Sequence, residues 1–457
     1  MSRCYFITGW RELLGRRTVL GACVILGLTI VIGFCLRVES LDETRVIKPL
    51  RADARDYFMY AYNLRHRDTY SRQVASLSDS QYRLSPDAVR SPGYPLFLTI
   101  FVDGPPSSRM IGNIMLTQVL LSTLMLVVAF FLFRRFLSNY FAVAAVFFTA
   151  LSPHLIVANS YILTETLFCF LLVILLWLLS CLAKKPSAWK AIMIGLVMGL
   201  ASLVRPSLQY FPIIAAILLV FTYGRRKGLQ LAIIVLVCFA VVLSPWIIRN
   251  LVTLGVVSDK TLKINFIQHG MYPDFKYDNL QHTYGFPYRY DPRSKEITRN
   301  TASVLKEIAN RFRREPAKHL NWYIIRKPYF FWSWEIIQGQ GDVFIYPVSR
   351  TPYVSKSYFR WTHQFMYYIH WVMVLLGGLG CLLVWTPAVQ RQYPETSVCI
   401  LRFVSALLLY FTALHMLGAP FPRYSVPLRP FLYSMAVFTF SLILKNININ
   451  MRTNRIS

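Results

Sequence analysis

The sequence predicts an all-α polytopic membrane protein with about ten transmembrane helices and an external helical cap. Three observations predict it. The 457 residues are 55% hydrophobic and only 15% charged, with a mean hydropathy of +0.43, whereas a soluble domain is nearer 25% charged. Apolar runs long enough to cross a bilayer recur along the chain. Short basic clusters fall at every second boundary between those runs, which is the positive-inside pattern.

The first run, Thr18 to Leu36, is about 19 residues, or roughly 28 Å of helix, and spans a hydrocarbon core. With its basic start it resembles a signal peptide, but no small-residue cleavage site follows, so it reads as a retained anchor. A polar loop, 37–93, comes next. Within it Phe58, Ala61, Tyr62 and Leu64 keep helical spacing. The apolar run 94–102 is too short to span and reads as a re-entrant or interfacial piece. Runs 109–133, 139–158 and 161–182 follow. Residues 189–223 would make one helix of roughly 52 Å, too long for a bilayer. Arg205-Pro206 interrupts it, giving a hairpin of 189–205 and 207–223, and 229–249 completes an N-terminal transmembrane catalytic module, 1–249.

The second long polar segment, 250–363, has structure of its own. Ile297, Val304, Leu305, Ile308 and Phe312 share one helical face, and Pro316 ends that helix. Residues 322–334 are aromatic enough to lie among lipid headgroups. The segment reads as a small cap resting on the bilayer. Runs 364–386, 397–417 and 424–444 then lead to a C-terminal tail, making the third unit, 364–457.

The basic clusters are Arg11, Arg16 and Arg17; Arg134-Arg135; Lys184-Lys185; Arg225-Arg226-Lys227; and Lys445 with Arg452 and Arg455. Placed inside, they put both termini in the cytoplasm and both long loops outside, in a multi-pass plasma-membrane protein contacting membrane lipids. The net charge of +28 is scattered between apolar spans rather than gathered on one domain, which argues against nucleic acid as a partner. None of the eight cysteines lies in either long loop and no CxxC pair occurs, so neither a disulfide framework nor a zinc site is indicated.

The informative charges are those outside the clusters. Asp53 and Asp56 lie in the first loop with Tyr57, and Arg90 and Tyr94 close it. Glu165 begins the fourth span. Arg205 is at the hairpin tip, Arg249 ends the seventh span, and Arg423-Tyr424 sits in a short turn. By parity all fall on the external side. Charged groups at membrane depth are expensive and commonly functional. The alternatives for these residues are arginines that snorkel to the headgroups, a glutamate that caps a helix dipole and aspartates on a solvated helix face.

Asp53-Ala-Arg-Asp-Tyr57 with Ala61 and Leu64, then Arg90-Ser-Pro-Gly-Tyr-Pro95, Leu163-Thr-Glu165, Arg205-Pro206, Pro245-Trp246 with Arg249-Asn250, and Arg423-Tyr424 occur in that order. In this series the chain resembles the GT-C glycosyltransferases, in the family 39-like branch related to protein O-mannosyltransferases, ArnT and Rgt-type lipopolysaccharide transferases. The resemblance implies a GT-C fold and transfer of a sugar from a polyprenyl-phosphate donor to an envelope lipid, glycan or protein on the outer face of a bacterial inner membrane. Asp53 matches the first-loop catalytic aspartate and Glu165 the second acidic position, with Asp56 nearby. Tyr57, Arg90, Tyr94, Arg205, Arg249, Arg423 and Tyr424 become substrate-binding candidates. Many relatives carry an adjacent Asp-Glu pair in the first loop. Here Ala54 follows Asp53, and the one such pair is Asp42-Glu43, which lacks the Tyr-x-x-x-Ala-x-x-Leu sequel.

The residue types fit that chemistry. A carboxylate accepts the proton of a sugar or protein hydroxyl, and arginine stabilises the lipid phosphate that leaves. A divalent metal ion is left open. A flippase for lipid-linked sugar is the rival class. It should show paired repeats and broken midplane helices, and no repeat is found. A non-catalytic scaffold is a third reading, in which the external carboxylates are dispensable.

Overall fold

The computed structural model describes residues 3–74 and 83–453. Helix α1 (Arg3–Glu43) leads into the first loop, which carries α2 (Ala52–Arg67) and the short α3 (Gly93–Thr99). The bundle continues with α4 (Ser108–Phe133), α5 (Asn139–Leu151), α6 (Glu165–Lys184), α7 (Ala188–Val204) and α8 (Phe211–Leu254). After the cap come α9 (Ser357–Leu383), α10 (Glu395–Leu417) and α11 (Arg429–Thr453). Seven described helices are long and apolar enough to cross a membrane, or eight if α5 and the bent segment Pro153–Ser160 form one span.

The long helix α8 is in fact two arms. Gly224 breaks it at φ 76°, ψ 170°, a conformation glycine adopts without steric cost. A Cβ on Gly228 would come within 2.5 Å of the Leu219 oxygen and the Val220 Cα. In a straight helix those residues stand roughly 12 Å apart along the axis, so the chain folds back on itself with Arg225-Arg226-Lys227 at the tip. The break expected at Arg205-Pro206 also occurs: α7 stops at Val204 and a 3₁₀ turn, Pro206–Leu208, separates it from α8. The expected run of apolar segments is therefore present, two of them joined end to end and α7 shorter than a full span.

Packing follows close approaches at small residues. On α7, Gly195 and Gly199 leave room for Val235, Cys238 and Val242 of the second arm of α8. On α9, Gly377 and Gly380 meet Leu432, Met435 and Thr439 of α11. Without a hydrophobic difference between helix and lipid, such backbone proximity supplies the van der Waals contact that holds spans together.

The loop and the cap are sewn together by a two-stranded antiparallel pair, β1 (Arg45–Val46) and β2 (Val348–Arg350). Ile47 N donates to the Pro347 oxygen at 2.9 Å, and Glu43 pairs with Arg350 and Lys356. Asp42-Glu43 therefore ends α1, and Glu43 anchors the cap. In the cap, helix Thr301–Arg314 buries Val304 and packs Ile308 against Met271, Tyr272 and Ile297. Leu305, expected on the same face, is 53% exposed, because the buried stripe is narrower than the periodicity suggested. Pro316 does mark the end of that helix, as the first residue of the next.

The aromatic stretch 322–334 differs from expectation. Trp322, Phe331, Trp332 and Trp334 are buried inside the protein instead of facing headgroups. Each indole N–H has an internal acceptor: the Gly270 oxygen, Thr412 Oγ1 and Asp342 Oδ1 respectively. A satisfied indole is free to pack inward. Ile324, Ile325 and Tyr329 are the exposed members.

Candidate functional site

Four element ends meet beneath the loop and cap: the start of α2, the start of α6, the end of α7 and the α10–α11 turn. Asp53 lies in the first turn of α2, where the helix dipole favours a carboxylate. Ala52 before it has φ 44°, a left-handed conformation costing about 1–2 kcal/mol in a residue with a Cβ. Strain of this kind persists where surrounding contacts dictate it. Glu165 is the first residue of α6, Arg205 follows the last of α7, and Arg423 sits in the 3₁₀ turn Pro422–Leu428.

These side chains form one network. Arg423 bridges two carboxylates: its Nη1 is 3.0 Å from Asp53 Oδ2 and its Nε is 2.5 Å from Glu165 Oε1. Arg205 Nη2 reaches the same Glu165 oxygen at 3.1 Å. Arg90 Nη2 lies 2.6 Å from Asp53 Oδ1 and 3.3 Å from Asp56 Oδ2. In its enclosed part, Asp53, Asp56 and Glu165 thus face Arg90, Arg205 and Arg423, three charges of each sign, and the exposed Arg55 adds a fourth cation 3.4 Å from Asp56 Oδ1. Such balance is what makes partly buried ions tolerable.

Access differs sharply within the network. The Asp53 side chain is 28% exposed and that of Glu165 is 1%. Burial raises the Asp53 pKa, but Arg423 and Arg90 outweigh it and hold the carboxyl below its usual value. Arg90 moves above its usual value because Asp53 overcomes the effect of burial. Burial pushes Tyr57 up to about 12, so its hydroxyl stays protonated at neutral pH.

Aromatic rings hold the guanidiniums in place. Arg90 lies over Tyr57, 5.5 Å from the ring centre, and Arg205 over Tyr424 at 5.1 Å. Tyr94 is fully buried, with its ring edge-on to Tyr57 and its hydroxyl donating to Gln118 Oε1 at 2.8 Å. Tyr94 therefore supports Tyr57 from behind and has no open face for substrate.

Arg249 is the candidate that the fold places elsewhere. Its guanidinium donates to the backbone oxygens of Asp87, at 2.9 Å, and Tyr70, at 3.1 Å, and is flanked by the Tyr70 and Trp246 rings. It makes no bond to the carboxylates; it fastens the first loop. The Tyr70 hydroxyl in turn donates to the Arg90 oxygen at 2.9 Å, so Arg249 reaches the site through Tyr70 and Arg90.

Three contributors were not singled out from the sequence. Gln118, in the middle of apolar α4, also donates to the backbone oxygens of Asn159 and Tyr161. An amide in the middle of such a run was the available signal. Asp87 accepts from Val89 N and Arg72 N and orders the loop before Arg90. Tyr346, from the cap, is buried, and Arg51 lies 5.6 Å from its ring centre. Nothing distinguishes it in sequence from the many tyrosines around it.

Among the described residues no group of three or more His, Cys, Asp or Glu side chains is placed to hold a metal ion. In the network, guanidinium N–H groups meet both Asp53 oxygens and Glu165 Oε1, while Glu165 Oε2 is buried with no hydrogen-bond partner among the described residues.

The family model described as "Dolichyl-phosphate-mannose-protein mannosyltransferase" matches residues 96–248. The oligosaccharyltransferase of Archaeoglobus fulgidus, solved with a tethered acceptor peptide, superposes with a TM-score of 0.51 at 12% identity, covering 94% of this chain and 50% of that one. ArnT from Cupriavidus metallidurans, solved with undecaprenyl phosphate, gives a TM-score of 0.37 at 13% identity, over 86% of this chain and 77% of that one. No curated protein sequence matches. The chain spans about half the length of the archaeal enzyme. It has the GT-C fold.

Proposed function

We propose that this GT-C chain is a membrane glycosyltransferase that moves a sugar from a polyprenyl-phosphate donor to a hydroxyl-bearing envelope acceptor (lipid, glycan or protein) on the outer face of a bacterial inner membrane. The observation that carries the reading is the charge-balanced network in which Asp53 is the open carboxylate and Glu165 the closed one. Asp53 is the base. It takes the proton of the acceptor hydroxyl as that oxygen bonds to the anomeric carbon. The bond from that carbon to the phosphate oxygen breaks, and its electron pair leaves with the lipid phosphate. Arg90 and Arg423 already lie within hydrogen-bond reach of Asp53, so a phosphate beside Asp53 meets two forks that can share its charge. Glu165 keeps Arg205 and Arg423 oriented. Asp56 does the same for Arg90.

The matched family's description, which names a dolichyl-phosphate mannose donor, supports this donor class. The fold shared with an oligosaccharyltransferase supports glycosyl transfer. The positive-inside pattern supports an external site and cytoplasmic termini.

The test is direct. Full-length protein in lipid vesicles is given a panel of polyprenyl-phosphate sugars with envelope extract as acceptor, and released polyprenyl phosphate is measured. The wild type should release it from at least one donor and Asp53→Asn should not. Movement of labelled donor across the bilayer without release would make the chain a flippase.

A further inference from the structure

The external cap holds a pocket of about 370 Å³ that shares no residue with the carboxylate network. We infer that this pocket binds a sugar unit of the acceptor, away from the hydroxyl that reacts; the inference rests on the transferase reading above and selects a glycan among its acceptors. One face of the helix Thr301–Arg314 contributes Glu307, Arg311 and Arg314 to the lining, at i, i+4 and i+7. Glu307 accepts from Arg311 Nε on one oxygen at 3.0 Å and from Arg293 Nη2 on the other at 3.2 Å. Asp291 accepts from Arg311 Nη2 at 3.2 Å and from the Tyr272 hydroxyl at 2.7 Å. Both carboxylates are buried. This part of the pocket is therefore fixed before a ligand arrives, which lowers the ordering cost of binding.

Another wall is the segment 273–279, and it is strained. Asp274, Phe275, Asp278 and Asn279 all have φ between 47° and 60°, and a bulky residue such as Phe275 is an outlier in that left-handed region. Backbone strain persists where surrounding contacts dictate it, and it clusters at ligand clamps. Two contacts dictate it here. Tyr277 N donates to Thr283 Oγ1 at 2.9 Å, and Phe275 stacks on Phe421 with ring centres 4.7 Å apart. The segment thus sets Lys276 and the half-buried Tyr277 ring into the lining. Through Phe421 it is fastened to the turn that carries Arg423.

The lining is charged but nearly balanced, with four carboxylates against five cationic side chains. A phosphate would meet the carboxylates, and an amine would meet the guanidiniums. A sugar satisfies both, because each hydroxyl donates to a carboxylate and accepts from a guanidinium. Lys276 and Arg314 line the pocket with no ion-pair partner among the described residues, so both are available to ligand oxygens. The apolar face of a sugar ring needs a flat partner, and Tyr277 supplies one. The volume lies near the lower end of the range for ligand pockets, which suits a short saccharide.

The test is capture of envelope oligosaccharides by full-length protein in phosphatidylcholine nanodiscs. The probe is the pool freed from its lipid by hydrolysis, from the organism that makes this protein, and tagged with a fluorophore. The wild type should capture at least one species, and Asp53→Asn should capture it equally, because the pocket lies outside the network. Tyr277→Ala and Arg314→Ala should each weaken capture about tenfold, and inorganic phosphate should not compete. Arg314 is exposed, so its variant decides even if Tyr277→Ala fails to fold. No capture by the wild type, or wild-type capture by every variant that folds, would overturn the inference. Loss of capture in Asp53→Asn would move the sugar to the network and overturn the location. Competition by inorganic phosphate would make the pocket an anion site and overturn the inference as well. Capture that depends on Arg314, with no sugar transfer from any donor, would bring down the transferase reading and leave the sugar-binding pocket standing.

Discussion

Arg423 Nη1 donates to Asp53 Oδ2 at 3.0 Å across 370 positions of the chain. That single bond joins the first loop to the turn before the last helix, and the same guanidinium continues to Glu165. Asp53 is thus held between two guanidiniums. As an isolated loop carboxylate it would have carried little of the fold. Here it shares a network with residues from three other element ends, so its loss has two effects that can be separated.

Asp53→Asn should cost about 10²–10⁴-fold in transfer rate, the usual effect of removing a general base. It should also lower the melting temperature, because Arg90 and Arg423 each lose a charged partner. Asp56→Asn should lower stability with a smaller rate effect, since Arg90 keeps Asp53. Asp42→Asn, at the exposed end of α1, should change neither. Turnover and melting curves on the three proteins decide this; full activity in Asp53→Asn would move the base to another carboxylate.

Glu165→Gln should behave in the opposite proportion. Its carboxylate is closed to solvent and holds two guanidiniums, and breaking a buried ion pair from one side costs about 3–5 kcal/mol. The expected result is poor recovery or a large fall in melting temperature. A stable Glu165→Gln that has lost only turnover would instead make Glu165 a reacting group.

Much of this was legible because the bilayer makes charge expensive. Asp53, Glu165, Arg205 and Arg423 stood out as singular charges at membrane edges and Arg90 through its Arg-Ser-Pro-Gly-Tyr-Pro motif, and the fold brings them together. Arg249 carried the same signal and does something else. An arginine at a helix end looks alike in sequence whether it meets a carboxylate or two backbone oxygens, and only the folding of residues 70–90 onto α8 decides. The hairpin in α8 could be read from Gly224 beside three basic residues. The inward-facing tryptophans could not, because their acceptors, such as Thr412 and Asp342, are remote in sequence. Tyr346 was invisible for the same reason: the β1–β2 pairing brings it to the loop.

The pH dependence follows from the direction of the Asp53 shift. Its folded pKa lies below its ordinary value of about 3.9, so its pairing stabilises the fold above that value and is lost as pH falls through the folded pKa. The acid limb of kcat/KM, which reports the free enzyme, should lie below the ordinary carboxylate value. Arg423→Gln should move the limb upward by removing one of the two charges that depress it. An acid limb that does not move would separate the base from Arg423.

Arg423→Lys tests the fork itself. Lysine keeps the charge but presents one compact ammonium and cannot hold Asp53 and Glu165 from separate nitrogens in a planar frame. Stability should recover partly relative to Arg423→Gln, while KM for the lipid donor stays raised. Full recovery of donor KM in Arg423→Lys would mean that charge alone is required.

Arg249 acts on the site at one remove. It holds the Tyr70 and Asp87 oxygens, and the Tyr70 hydroxyl holds the Arg90 oxygen. Arg249→Ala should release the loop and weaken donor use by misplacing Arg90. Such a loss would also follow if Arg249 touched the phosphate, so the informative variant is Tyr70→Phe. It keeps the ring stacked on Tyr60 and the backbone oxygen that Arg249 needs, and removes only the hydrogen bond to Arg90, worth about 0.5–1.5 kcal/mol. If Arg249 works through Arg90, Tyr70→Phe should reproduce part of the rise in donor KM, and combining it with Arg249→Ala should add less than the two separate effects, as neighbours in one network do. If Arg249 meets the phosphate directly, Tyr70→Phe should leave donor kinetics unchanged and the two effects should add.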